Sequence, residues 1–189
     1  ANRGQTDPRV KFISRNSGHT LFLTGDGAVL SLRSARKDGD FKVPPSVIRM
    51  KLAGANARPR VAVLDELAGK SNYFIGDAPQ AWRTGIANYA RVKYEGVYPG
   101  IDLVWHGNQR QLEHDFIVAP GADPRRIRWS FAGAQTVRVD EQGELVLQAG
   151  AGDARMLKPQ AWQEVNGERH NVACKYAINR SRQVEFRLG

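Results

Sequence analysis

The stretch from Tyr94 to Pro124, YEGVYPGIDLVWHGNQRQLEHDFIVAPGADP, constrains the fold of this chain more than any other. Short runs of alternating apolar and polar residues are separated by Pro-Gly, Gly-Asn and Pro-Gly-Ala-Asp-Pro. Alternation with a period of two places the apolar side chains on one face of a strand, and Gly, Pro and Asn mark turns. The stretch therefore predicts consecutive antiparallel strands joined by tight turns.

The same pattern recurs along most of the chain. Ile127, Trp129 and Phe131 alternate with polar residues, which predicts that these three large side chains face the core. Asn166-Gly167 between two apolar-alternating runs is a signal for a two-residue hairpin. Turn signals about every 8–12 residues favour an all-β fold over α/β, and we expect an antiparallel β-sandwich built from meanders and hairpins.

One segment predicts helix. In GDAPQAWRTG, Asp77 can cap a short turn, Pro79 suits its first position and Gly85 can end it. We expect at most one helical or 3₁₀ turn near residues 77–84, with Trp82 packed against a sheet. The length of 189 residues suits a single β-sandwich domain over residues 1–189, and a sub-division, if there is one, is expected near residues 77–86.

The net charge of +9 raises the question of an anionic partner. The basic residues are dispersed from Arg3 to Arg187, and the longest adjacent groups are pairs such as Arg125-Arg126. This dispersion argues against nucleic acid, which would require the arginines to gather on one face of the fold. Solvated strand faces explain most of the charge, and a general attraction to anionic polymers or to a negatively charged envelope is the alternative.

The single cysteine, Cys174, excludes an intrachain disulfide and a cysteine-built metal site, and we expect an inert thiol. No run approaches the roughly 18 apolar residues that span a bilayer. The N-terminal sequence ANRGQTDPRV has no charged region followed by an apolar stretch, which predicts a mature form without a visible signal peptide.

The one acidic grouping that could suggest chemistry is Asp102, Glu113 and Asp115, on adjacent predicted strands. If residues 107–110 form the hairpin loop, the three side chains fall on the same face. Clustered carboxylates can serve acid/base chemistry, glycoside cleavage or a hard cation such as Ca²⁺.

The closest enzymatic pattern is the E-x-D-x-x-E strand of laminarinase-like glycoside hydrolases. Glu113 and Asp115 fit its beginning, but Val118 stands where the second glutamate should be. The four histidines are dispersed, and no metal or cofactor motif accompanies the acids. We therefore predict structural carboxylates, no metal and no cofactor.

Four segments resemble a known bacterial domain: SNYFIG at 71–76, WRT at 82–84, VYPGIDLVW at 97–105 and QLEHDFIVAPGADP at 111–124. Together they are similar to the N-terminal domain of unknown function that precedes the repeats in SBBP-type β-propeller proteins, and the likeness runs from about Arg9 to Phe186. His114 departs from the family pattern, which has a tyrosine there. The resemblance implies an all-β domain of an extracytoplasmic, secreted or cell-surface bacterial protein, with a neighbouring β-propeller domain in longer relatives. It implies no reaction.

Three functions follow as hypotheses, and the third, a nucleic-acid binder, requires the arginines to gather on one face. The first is a non-catalytic β-sandwich module, binding or architectural, whose partner is a polysaccharide or a surface protein. Its candidate ligand-binding residues are the three acids and two tryptophans that could stack on sugar rings, Trp105 and Trp162, whereas the parity of Trp129 places it in the core. The second is a carbohydrate-active enzyme that uses Asp102, Glu113 and Asp115.

Overall fold

The structure, a computed structural model, describes residues 1–16, 18–33, 44–107 and 112–189. Its strands, numbered in chain order, are β1 (Val10–Arg15), β2 (His19–Thr24), β3 (Gly27–Leu32), β4 (Ser46–Leu52), β5 (Arg60–Tyr73), β6 (Arg83–Tyr98), β7 (Ile101–Gly107), β8 (Leu112–Val118), β9 (Arg128–Ala132), β10 (Thr136–Val139), β11 (Leu145–Ala149), β12 (Gly152–Met156), β13 (Ala161–Val165), β14 (Glu168–Val172), β15 (Cys174–Ile178) and β16 (Val184–Leu188). The helical segments of the described ranges are two 3₁₀ turns, Pro79–Ala81 and Pro124–Arg126.

The predicted class, an antiparallel all-β sandwich built from meanders and hairpins, is confirmed. The chain divides into two compact units, one formed by residues 1–29 and 55–122 and the other by residues 30–54 and 123–189. That 1–189 forms one domain stays a prediction. No helix in the described part of the chain is long and apolar enough to cross a bilayer.

The first unit contains a meander of four long strands in the order β5-β6-β7-β8, together with neighbouring β1 and β2. Its core is built by the inward residues of β6 and β7. Tyr94, Ile101, Leu103 and Trp105 are each at most 4% exposed. The alternation that the sequence shows in this stretch therefore reflects burial of one strand face, as predicted.

The second unit contains four strands that pair antiparallel in the order β4-β9-β16-β15, a three-stranded sheet β10-β11-β12 and the hairpin β13–β14. Ile48, Trp129, Leu145 and Val184 have no measurable exposure and form the centre of its core. The backbone N–H of Ala151 donates to Ser46 Oγ at 2.8 Å and ties the turn after β11 to the start of β4.

The prediction that Ile127, Trp129 and Phe131 face the core is confirmed for the first two residues, and the third is only partly covered. Ile127 and Trp129 are buried, at 3% and 0% exposure. Phe131 is half-buried, and its ring lies 6.5 Å from that of Trp129. Strand parity predicted which face these residues occupy, and the position of Phe131 near the end of the strand limits how deeply it is covered.

The predicted helical turn is confirmed as the 3₁₀ turn Pro79–Ala81 with proline at its start, but two details differ. Its N-cap is Ala78 and not Asp77, and no side chain caps it. Trp82 contacts Phe74 edge to face at 5.1 Å and remains 38% exposed, so it packs within its own loop and not against a sheet.

The predicted Asn166-Gly167 hairpin is also confirmed. Both residues have positive φ, 56° and 82°, as a type I′ turn requires, and they connect β13 to β14. Residues 108–110 of the loop predicted between β7 and β8 lie outside the described residues.

Candidate functional site

The hairpin formed by β7 and β8 positions the three acidic residues singled out in the sequence. In an antiparallel pair, directly opposed residues share a face, and so do residues two apart on one strand. By this rule Asp102, Glu113 and Asp115 lie on the same face, as predicted. The register pairs Asp102 with Ile117, Val104 with Asp115, and His106 with Glu113.

The spacing along the hairpin determines which acids are neighbours. Asp102 opposes Ile117, so Asp115, two residues before Ile117, is its diagonal neighbour on β8. The strand positions of such diagonal neighbours are about 7–8 Å apart. Glu113 lies four register positions from Asp102, which corresponds to roughly 13 Å along the strand direction. The three acids therefore form a row and do not converge on one point.

Asp102 is engaged in an ion pair on this face. Lys93 Nζ of the neighbouring strand β6 lies 2.9 Å from one carboxylate oxygen, and the backbone N–H of Gly96 donates to the other at 2.7 Å. Partial burial alone would raise the pKa of Asp102, but these two hydrogen bonds outweigh it and lower that pKa. Asp102 is thus held as a carboxylate and cannot act as a general acid near neutral pH.

Asp115 has a histidine partner. His106 Nε2 of β7 lies 2.9 Å from Asp115 Oδ2, and the Asp115 side chain is 51% exposed. Glu113 is exposed on the same face. Both carboxyl groups are open to solvent, and neither lies in an enclosed apolar pocket.

His114 points to the opposite face of β8. Its ring lies 5.2 Å from the Trp105 ring and 5.7 Å from the Phe116 ring. Desolvation between these rings lowers the pKa of His114 to about 4, and the nearby Asp115 carboxylate offsets this in part. The imidazole is therefore neutral at physiological pH and packs as an aromatic residue, the role that the resemblance predicted for this position.

The tryptophans differ sharply in accessibility. Trp105 is 4% exposed and Trp129 is fully buried, so neither presents a ring face to a ligand. Trp162, on the hairpin β13–β14, is 46% exposed, and the Arg169 guanidinium carbon lies 3.8 Å above its ring centroid. Of the two tryptophans predicted to stack on sugars, Trp162 is the one whose position allows it.

Cys174 is half-buried, and desolvation raises the pKa of its thiol. A raised pKa keeps the sulfur protonated and poorly nucleophilic. The residue fits the predicted inert thiol.

A cleft of about 390 Å³ in the first unit was not predicted from the sequence. It is lined by polar and aromatic side chains and one aliphatic one: Ile13, Arg15, Ser71, Asn72, Tyr73 and Asn88. The Arg15 guanidinium carbon lies 5.1 Å from the Tyr73 ring centroid, and Ser71 Oγ donates to Asn88 Oδ1 at 3.0 Å. None of the predicted site residues lines it.

The sequence carried one weak signal for this cleft. Ser71, Asn72 and Tyr73 end strand β5 and open the SNYFIG segment of the family resemblance. The strand pairing places Ser71 opposite Ile86 and Tyr73 opposite Arg83, and a bulge lies between the two pairs. Bulges re-aim side chains, and nothing in local sequence reveals that β1 contributes the remaining wall.

Among the described residues, no group of three or more His, Cys, Asp or Glu side chains is placed to hold a metal ion. A family model described as a domain of unknown function (DUF7948) matches residues 1–189, and the chain belongs to that family. No curated protein and no solved structure matches the chain.

Proposed function

We propose that this member of the DUF7948 family is a non-catalytic binding module of an extracytoplasmic bacterial protein. Its first candidate ligand is a polysaccharide, and a surface protein is the second. The observation that carries the proposal is the state of the acidic row on β7–β8. Asp102 is ion-paired to Lys93, Asp115 is hydrogen-bonded to His106, and Glu113 stands exposed at the other end.

Glycoside hydrolysis requires one carboxyl that is protonated near neutral pH and a second that is ionised. The hydrogen bonds to Asp102 lower its pKa, which is the wrong direction for the acid. Asp115 is half-exposed on an open strand face and hydrogen-bonded to His106, so it does not occupy the enclosed apolar pocket that the acid of a glycosidase requires.

The cleft between Arg15 and Asn88 supports a polyhydroxylated ligand. The Gly85 N–H donates to Asn72 Oδ1, and Ser71 Oγ donates to Asn88 Oδ1. The amide N–H groups of Asn72 and the lone pairs of the Ser71 oxygen can bind a ligand hydroxyl, and the Tyr73 ring offers an apolar wall. Sugars present the same combination of hydroxyl groups and C–H faces. A protein loop would find less apolar surface here than stable protein interfaces usually bury.

The extracytoplasmic location and the SBBP-type context rest on the four sequence segments given above. In longer relatives the module would sit beside a β-propeller domain. A binding or architectural role beside a repeat domain requires no catalytic group, and the pairing of Asp102 with Lys93 and of Asp115 with His106 is compatible with such a role.

A pull-down on a panel of insoluble polysaccharides, with soluble competitors, tests the proposal. Wild type should be retained on at least one polymer, and Asn72→Ala should weaken retention about 2- to 10-fold because the amide N–H donors are lost. Since the variant also loses the bond from the Gly85 N–H to Asn72 Oδ1, its thermal midpoint is compared with that of the wild type. Gln142→Ala is the control, since Gln142 is also an exposed amide but follows β10 in the second unit and belongs neither to the cleft nor to the candidate ligand-binding residues. Absence of retention on every polymer, with folding intact, would refute polysaccharide binding.

The alternative, a carbohydrate-active enzyme, has one observation in its favour. The diagonal spacing of Asp102 and Asp115 falls within the separation of about 5–10 Å that glycosidase carboxyl pairs use. Release of new reducing ends by wild type, abolished in Asp115→Asn with the fold intact, would favour the enzyme.

A further inference from the structure

The outer face of the paired strands β4, β9, β16 and β15 in the second unit gathers basic residues that are far apart in the sequence. Register places them together, because opposed residues and residues two apart share a face. Lys51 opposes Ser130, Arg128 opposes Glu185, and Lys175 opposes Arg187. The basic face so defined consists of Arg49, Lys51, Arg128, Lys175 and Arg187.

The charge of this face is strongly one-sided. Within strands β4, β9, β16 and β15, Glu185 is the single carboxylate on it, and it lies 3.5 Å from Arg187 Nε. Arg49, Arg128, Lys175 and Arg187 against this one carboxylate leave a formal excess of three positive charges, with Lys51 left out of the count. Arg49, Lys51, Lys175 and Arg187 are exposed, and Arg128 is half-buried.

The opposite face of the same sheet explains why these cations cannot turn inward. Ile48, Trp129 and Val184 have no measurable exposure, and Met50 and Tyr176 are at most 8% exposed. A slip of one residue in any strand would bury its cations in this core. The packing of the other side therefore fixes which strand positions carry the basic face and keeps them towards solvent.

Resting on the proposed function, we propose that the basic face binds an anionic polysaccharide. Neighbouring strands lie about 4.8 Å apart, so the face extends roughly 14 Å from β4 to β15, and same-face residues on one strand repeat about every 6.6 Å. Such a grid can contact several acidic groups along one extended chain. Ser130 and Ala132 occupy the other two outward positions of β9, and their small side chains leave room for sugar rings to approach.

The chemistry of this face favours a polysaccharide over nucleic acid. Proteins that bind single-stranded nucleic acid combine positive charge with aromatic platforms for the bases, and the strands place no aromatic residue on the basic face. Reading a duplex requires an element that enters a groove, whereas this surface is the flat side of a sheet. Charge and hydrogen bonding without stacking suit an acidic glycan.

The test compares polygalacturonate with its fully methyl-esterified form, which has the same backbone without the carboxylate charge. The variant Arg49→Gln/Lys175→Gln removes one exposed cation from each side of the face. Two exposed charge contacts correspond to about a 2- to 30-fold loss of affinity. The control Lys11→Gln/Arg58→Gln lowers the net charge equally but changes exposed residues of the first unit.

The expected result is binding of polygalacturonate, weak or absent binding of the ester, a loss in Arg49→Gln/Lys175→Gln and no loss in the control. Affinity should fall as salt rises from about 0.01 M to about 1 M, because the Debye length shortens from about 30 Å to about 3 Å. Equal thermal midpoints of the variants exclude unfolding as the cause.

The other outcomes separate the two proposals. Equal binding of polymer and ester, unchanged in Arg49→Gln/Lys175→Gln, would overturn the role of the basic face and keep polysaccharide binding. Equal losses in both double variants would show a net-charge effect and also overturn it. Tighter binding of duplex DNA or of phosphatidylglycerol vesicles than of polygalacturonate would replace the ligand class. Retention on no polysaccharide, charged or neutral, would refute both proposals.

Discussion

Gly133 follows β9 and has a positive φ of 91°, and a Cβ built there would lie far inside van der Waals contact of the Val47 carbonyl oxygen on β4 and 3.3 Å from its carbonyl carbon. We predict that Gly133→Ala strongly destabilises the second unit. A side chain in the left-handed region costs about 1–2 kcal/mol, and overpacking against backbone that must shift adds about 1–3 kcal/mol. The expected loss of unfolding free energy is therefore about 2–5 kcal/mol.

Gly54→Ala is the matched control. Gly54 belongs to the same unit and has a positive φ of 69°, but a Cβ there would have no neighbour within 4 Å among the described residues. It should lose about 1–2 kcal/mol from φ strain alone. Urea unfolding followed by tryptophan fluorescence, in which buried Trp129 reports on this unit, measures both variants. Equal losses in the two variants would refute the close approach of residue 133 to β4.

Three further predictions concern the cores and the acidic row. Trp129→Ala should cost about 3–5 kcal/mol because the ring is fully buried, whereas Trp162→Ala should cost under about 1 kcal/mol; chemical denaturation compares them. Because the pKa of His114 is lowered in the folded chain, the unfolded chain binds a proton between about pH 6.5 and about 4 that the folded chain does not. Wild-type stability should therefore fall by up to roughly 3 kcal/mol as pH falls through that window. His114→Phe should remove this pH dependence, measured by thermal unfolding at stepped pH. The lowered pKa of Asp102 contributes stability that is present above the ordinary carboxyl pKa and is lost as pH falls through the lowered value. Asp102→Asn should therefore reduce the unfolding free energy by about 1 kcal/mol or less at pH 7 and have no effect in strong acid. These assignments would be contradicted by a pH dependence of stability that His114→Phe leaves unchanged, or by an Asp102→Asn loss that is the same at every pH.

Local patterns in the sequence predicted local structure well. Period-two alternation gave the common face of Asp102, Glu113 and Asp115 and the burial of Trp129, because side-chain direction in a strand depends on parity alone. Asn166-Gly167 specified its hairpin, since few residue pairs adopt positive φ twice in succession.

The features that sequence reasoning missed depend on contacts between distant segments. The ion pair between Lys93 and Asp102 requires the register of β6 on β7, and the burial of Trp105 depends on what covers its face. The basic residues are dispersed along the sequence, yet strand order brings Arg49 and Arg128, which are 79 residues apart, to one face. Register and strand order are set by tertiary packing, which no local pattern encodes.

We propose that the chain binds polysaccharide without cleaving it. The most direct measurement follows retention and cleavage in one sample: depletion of the protein onto each polymer of a broad panel, together with the appearance of new reducing ends. We predict depletion without reducing ends, and the same depletion for Glu113→Gln and Asp115→Asn. Reducing ends released by the wild type and lost in either variant, with folding intact, would contradict the claim.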